Sequence, residues 1–230
     1  MSNTEKIKID IVSDVACPWC YVGKRRLESA IAEWNGVPVE IEWHPFQLDP
    51  TIPAEGMSRK NYLINKFGSI ERIQPMIDNL EAVGKELGIA FDFGKDSTSI
   101  NTLPLHQLLH VAGEEGFKDA LKERFLKAYF EENLRLNDIE VLASIMSAYG
   151  WSREKVEQTI ADQDIADKVQ SQIAYYQQRG VSGVPFFVIN DTYGVSGAQP
   201  KEAFLNAFAS AVPQAHIEEG VSCDPETGVC

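Results

Sequence analysis

Among 230 residues this chain has only four cysteines, and its 21 lysines and arginines are outnumbered by 34 aspartates and glutamates. So few cysteines cannot staple a domain of this length; in a reducing compartment they point to catalysis or metal binding instead. The shortage of positive charge argues against a nucleic-acid partner, which rewards clustered Lys and Arg. No apolar run approaches the ~20 residues that would span a membrane, so no membrane partner is expected. There is no internal repeat and no low-complexity tract. Met1 to Lys6 lead into the first apolar alternation without a basic and then apolar leader, and the expected localisation is cytoplasmic. What is present is an ordinary globular composition, 44% hydrophobic and 24% charged, long enough to bury a sizeable core. The net charge of −13 describes a solvated acidic surface and names no partner.

The most informative stretch is Cys17-Pro18-Trp19-Cys20. It follows the alternating run Ile7, Ile9, Ile11 and opens a segment of helical spacing, Cys20, Gly23, Leu27, Ile31, Trp34. A helix N-terminus carries unpaired N–H groups and partial positive charge, which favour a thiolate over a thiol. The thiolate is the nucleophile of disulfide exchange. Cys17, at the open end, is therefore expected to have a depressed pKa and to attack, with Cys20 one turn inside as the resolving thiol. Pro18 suits the first helical turn, where a missing N–H costs nothing. A Cys-x-x-Cys can also be half of a zinc site. The remaining cysteines, Cys223 and Cys230, are spaced too widely for the usual knuckle, so no metal is expected.

Read in order, residues 6–13 form a strand, 18–35 a helix and 39–43 a second strand, a βαβ unit with parallel strands. From about Met57 to Arg179 the period is helical. Ile73 to Leu87, Leu105 to Ala112, Phe117 to Tyr129 and Ile139 to Tyr149 mark four helices, with Asp138 and Ser152 as N-caps. Ile89 to Phe93 reads as a short extended link. Strand character returns over residues 184–189, turns at Asn190-Asp191, and is followed by a strand around Tyr193–Ser196 and a helix from about Pro200 to Ala211. The expected organisation is one discontinuous α/β domain, residues 1–56 and 180–212, interrupted by an all-helical insertion, 57–179, and followed by a tail, 213–230.

Other residues carry weaker signals. Gly183 before Val184-Pro185 permits an unusual turn at the head of a strand, and trans is the default for an X–Pro bond. Lys24, Arg25 and Arg26 read either as an exposed helix face or as an attractor for an anion such as glutathione. Asn101 reads as a cap for the next helix or as a glutathione or substrate contact. His106 and His110 share a helix face, the ordinary reading being surface.

The motifs Asp14 to Tyr21, Asn101-Thr102 with His106, Gly183 to Phe187 and Gly197 to Pro200 together resemble the DsbA-like branch of the thioredoxin fold. The nearer similarity is to its FrnE-type cytosolic oxidoreductases, with Leu105 where that family usually has Ala before the His. The resemblance implies an α/β thioredoxin fold with a large all-helical insertion. It implies a cis Pro185 against the reactive sulfur, with the Val184 backbone pairing with an extended substrate, and it places Pro18 and Trp19 in the substrate-facing, potential-tuning dipeptide. FrnE-like proteins can carry a C-terminal cysteine pair, so Cys223 and Cys230 become candidates for an auxiliary redox pair. A nearby branch holds kappa-class glutathione transferases and 2-hydroxychromene-2-carboxylate isomerases, which usually have Ser in place of Cys17 and lack the second thiol.

The sequence therefore predicts a thiol–disulfide oxidoreductase without an organic cofactor, exchanging with cysteine-containing proteins or with glutathione as co-substrate, as a monomer or homodimer. The alternatives are a glutathione-dependent transferase or isomerase, and a non-catalytic chaperone or adaptor with structural cysteines.

Overall fold

The computed structural model describes residues 6–94 and 97–212. Its centre is β1 (Ile7–Ser13), which pairs in parallel with β2 (Val39–Pro45) across the helix α1 (Pro18–Glu33). Two later strands, β5 (Phe186–Ile189) and β6 (Tyr193–Ser196), complete a four-stranded sheet of order β2-β1-β5-β6, with β1 and β5 antiparallel. Because β1 lies between two neighbours and both sheet faces are covered, every residue of it but Lys8 is buried. Ile7, Ile9 and Ile11 pack with Leu27 of α1 and with Phe204 and Phe208 of α9 (Lys201–Ala211) on one face. The β5–β6 turn puts Asn190 and Asp191 at φ +47° and +55°, conformations these two residue types tolerate better than most.

Between β2 and β5 the described residues form a two-residue antiparallel ladder and seven helices. The ladder pairs β3 (Met57–Ser58) with β4 (Thr98–Ser99). The helices are α2 (Arg59–Phe67), α3 (Ile70–Glu86), α4 (Leu103–Glu114), α5 (Lys118–Phe130), α6 (Ile139–Ser147), α7 (Arg153–Ala161) and α8 (Gln163–Gln178). Asp138 and Ser152 cap α6 and α7, accepting from Glu140 N at 2.9 Å and Lys155 N at 3.2 Å. The helical core holds Leu105, Leu108, Phe125 and Phe130, and also Val15, which precedes α1, with Tyr21 and Val22 from the start of α1. Burying those α1 residues, at about 1.5–3 kcal/mol for a large side chain, ties the Cys-x-x-Cys turn to the helical half as firmly as to the sheet.

Residues 89–93 form no strand. Asp92 N donates to Phe130 O at 2.7 Å, and Phe91 stacks with Phe93, so the apolar alternation fills the helical core instead of a ladder. No helix among the described residues is long and apolar enough to cross a membrane. Cys223 and Cys230 lie outside the described residues.

Candidate active site

Cys17 is the N-cap of α1, extended at φ −98° and ψ 109°, with Pro18 as first helical residue. Cys20 N donates to Cys17 O at 3.0 Å, which winds the turn so that both sulfurs stand at the helix entrance. Cys17 and Cys20 are not disulfide-bonded to each other, and both are buried, Cys17 at 3% and Cys20 at 1% exposure. The Cys17 thiol donates to the carbonyl of Val184 at 3.4 Å. The Val184–Pro185 peptide bond is cis.

The helix N-terminus does not by itself settle the charge. Burial pushes the Cys17 thiol well up, and the neighbouring Cys20 raises it further. Cys20 is buried too, yet the hydrogen bond from Cys17 and the nearby Lys122 ammonium hold it below the ordinary thiol value. Against the expected depression of Cys17 stands its burial, while the Cys17 hydrogen bond and the Lys122 ammonium favour a thiolate at Cys20, so the pair shares a single stabilised negative charge. The two thiols titrate as one unit. A titration of thiolate absorbance should show one thiolate appearing below the usual ~8.5 and the second only well above it. Lys122→Met should move the first step upward; two overlapping steps near the ordinary value would contradict this reading.

Beneath the pair is a buried ionic cluster. Asp14 is 1% exposed. Burial alone would raise its pKa, but His106, the Leu48 amide and Lys122 together hold the carboxyl below the usual range. Leu48 N donates to Asp14 Oδ2 at 2.8 Å, Ala16 N to Oδ1 at 3.3 Å, and His106 Nε2 lies 3.4 Å from Oδ1 and 2.9 Å from Phe46 O. Lys122, from α5, is 1% exposed; desolvation lowers its pKa while Cys20, Asp14 and Cys17 oppose that. Lys122 was not singled out from the sequence, although a lysine on the face of Phe125, Leu126 and Tyr129 occupies an apolar position. Such a residue is buried only with compensating charge nearby.

Gly23, one turn beyond Cys20, lies on the face of α1 that meets Pro185. A Cβ there would sit 3.0 Å from Pro185 Cγ and 3.1 Å from Phe187 Cζ, so only glycine allows this approach without a shift. Gly23→Val should destabilise the fold by about 1–3 kcal/mol in urea unfolding, as overpacking does, and an unchanged midpoint would refute the contact. Gly183, by contrast, is not at positive φ and has open space about it, so the bend over residues 183–185 rests on the cis Val184–Pro185 bond and not on a glycine conformation.

Cys17, Pro18, Trp19 and Val184 form the mouth of a cavity of about 340 Å³. Its walls are mostly apolar, with Leu63, Phe67, Ile77 and Leu80 supplied by α2 and α3. Pro185 belongs to the site through Val184 and Gly23. The structure thus brings together Cys17, Cys20, Pro18, Trp19, Val184 and Pro185. Asn101 it does not. The Asn101 side chain donates to Ile52 O at 3.0 Å and accepts from Gln47 Nε2 at 2.9 Å and Leu103 N at 3.0 Å, clamping a loop to the start of α4.

The basic cluster also departs from expectation. Lys24 is buried and pairs with Glu28 and Glu123, Arg25 pairs with the same two acids, and Arg26 donates to Ala198 O. It is neither an exposed face nor a free anion attractor. His106 is buried rather than on the surface, and His110 is half-buried.

Comparison with known proteins gives a consistent picture. The family model described as a DSBA-like thioredoxin domain matches residues 8–209. The crystal structure of a probable DsbA oxidoreductase, SCO1869, from Streptomyces coelicolor superposes with a TM-score of 0.82 at 36% identity, covering 96% of this chain and 97% of that one. The uncharacterized protein YwbO of Bacillus subtilis is 28% identical over 204 residues, 88% of this chain and 96% of its own length. A cytosolic disulfide reductase, DsbM from Pseudomonas aeruginosa with GSH, shares the fold at a TM-score of 0.60 and 16% identity, covering 88% of this chain and 99% of that one.

Proposed function

We propose, for a chain that belongs to the DSBA-like thioredoxin domain family, that its chemistry is thiol–disulfide exchange through Cys17 and Cys20. The observation that carries this is the position of Cys17. Cys17 is the member of the pair that lines the cavity, and its sulfur faces the carbonyl of Val184 at 3.4 Å. Cys17 is the attacking sulfur and Cys20 the resolving one. The two thiols share one proton, and exchange begins when that proton sits on the Cys20 sulfur and Cys17 is the thiolate. The Cys17 thiolate then attacks a substrate disulfide, and one substrate thiolate leaves. Cys20 loses its proton and attacks Cys17 in turn, releasing the second substrate thiol and leaving the Cys17–Cys20 disulfide. Two electrons pass from the dithiol to the substrate disulfide, and the reverse sequence oxidises a substrate dithiol.

Val184 and Pro185 position the substrate, with the Val184 backbone pairing with an extended segment as an added strand. Pro18 and Trp19 border the same mouth. Within the family we assign the chain to the FrnE-type branch on the Asp14 to Tyr21 motif. Glutathione and cysteine-containing proteins are the proposed exchange partners; the fold shared with a cytosolic disulfide reductase solved with GSH supports glutathione and a cytoplasmic setting. The intact thiol pair favours exchange over a transferase or isomerase reaction that needs a single active-site hydroxyl.

The test is a redox equilibration. Reduced protein incubated with graded ratios of oxidised and reduced glutathione should convert in one two-electron step to a form that has lost both free thiols, with Cys17 and Cys20 linked in a mapped peptide. Persistence of both thiols under strongly oxidising ratios would overturn the proposal.

A further inference from the structure

The cavity that opens at Cys17 contains a feature the exchange chemistry does not use. Arg59, the first residue of α2, stands in its wall and is only 7% exposed. The guanidinium lies 4.5 Å from the Tyr129 ring and 5.9 Å from Phe130, and its Nη2 donates to Thr98 O at 3.4 Å. Its Nη1 has no hydrogen-bond partner among the described residues. A guanidinium is always charged, and burying one without an anion costs several kcal/mol. The acidic residues of the same wall are otherwise engaged: Asp14 accepts from Leu48 and Ala16 amides, and Asp49 from Thr51. A second cation, Lys66, also lines the cavity, its Nζ donating to the Tyr62 hydroxyl at 3.0 Å.

The rest of the wall is apolar, and the volume suits a small organic molecule rather than a folded segment. We infer that the cavity binds a low-molecular-weight apolar compound bearing a carboxylate or phosphate group, the anion seated against Arg59 and the apolar body under α2 and α3. A planar guanidinium binds such oxyanions through charge-assisted hydrogen bonds, and Arg59 stands in the cavity wall with no carboxylate paired to it among the described residues. The inference rests on the proposed exchange only in making the end of the ligand nearest Cys17 the reacting end. The substrate class it names is a small sulfur compound with an apolar body and an acidic group.

Binding is read without exchange, so its failure and that of the redox proposal are separable. The full chain is titrated by calorimetry with 2-naphthoate and with 2-naphthol, which share a ring system and differ in the carboxylate. Naphthoate should bind at least about tenfold more tightly than naphthol, roughly the effect of one charge-assisted hydrogen bond. Arg59→Met should bring that ratio close to one, and Arg59→Lys should retain part of it. Leu63→Trp, which fills the cavity, should abolish binding of both. Equal affinities in the wild-type protein would overturn the inference, as would a ratio unmoved by Arg59→Met or binding that survives Leu63→Trp. Should Arg59→Met fail to fold, the wild-type ratio and the Arg59→Lys variant still decide.

Discussion

Cys17→Ser is expected to lower the rate of thiol–disulfide exchange by about 10³-fold or more, measured with insulin or oxidised glutathione as substrate. The size of the effect follows from chemistry. A serine hydroxyl at neutral pH supplies almost no alkoxide, whereas the reduced pair supplies a thiolate stabilised by a neighbouring thiol and by Lys122. Cys20 cannot substitute for it. Cys20 lies inside the first turn and does not line the cavity, whereas Cys17 does. Fold should be preserved, since serine fits the N-cap position at least as well as cysteine. A Cys17→Ser protein that kept a tenth of wild-type activity would mean that another sulfur does the work.

Asp14→Ala should produce the largest loss of stability among single substitutions near the site, about 3 kcal/mol. Two backbone amides, Leu48 N and Ala16 N, lose their acceptor, and His106 loses its carboxylate partner. Each buried donor left unsatisfied costs about 1–3 kcal/mol, partly relieved by relaxation. For a chain of this size that corresponds to a fall in Tm of about 6–12 °C. The sign of the pH dependence is fixed as well. Asp14 is held below its unfolded value, so its contribution is full above the ordinary carboxylate range and is lost as pH falls through the folded value. The gap in stability between wild type and Asp14→Ala should therefore narrow in acid. A gap that widened on acidification would contradict the role given to Asp14.

The fold was legible where hydrophobic periodicity and turn chemistry agree. Ile7, Ile9 and Ile11, the Asn190-Asp191 turn, and the caps Asp138 and Ser152 each carry a local signal that the tertiary structure leaves in place. The helix α2 lay inside the stretch of helical period without a marked start of its own, and the β3–β4 ladder carried no signal. Arg59-Lys60-Asn61 opens α2 with polar residues, and a two-residue strand has no period to detect. Ile89 to Phe93 alternates like a strand and yet packs as an aromatic cluster, Phe91 and Phe93 meeting each other and Phe130.

At the site, the pairing of Cys17 with Cys20 and with Val184-Pro185 was visible as motifs. The charge distribution was not. Helix-terminus reasoning concerns the backbone, whereas the thiolate is also stabilised by Lys122, which arrives from α5 more than a hundred residues later. The same limit applied to Lys24 and Arg25, which looked like a free basic face until Glu123 of α5 came to meet them. Arg59 was silent for that reason too: its burial and its missing partner exist only once α2 covers the cavity.

The central claim is that Cys17 is the sulfur that forms the covalent intermediate. Cys20→Ser removes the resolving thiol, so an intermediate formed at Cys17 has no internal route to break down. The variant should be expressed, quenched in acid and alkylated, and its adducts mapped by mass spectrometry. The account predicts mixed disulfides on Cys17 that a reductant releases and that are absent from Cys17→Ser. A Cys20→Ser protein whose Cys17 carries no adduct, and remains inert to alkylation at neutral pH, would contradict it.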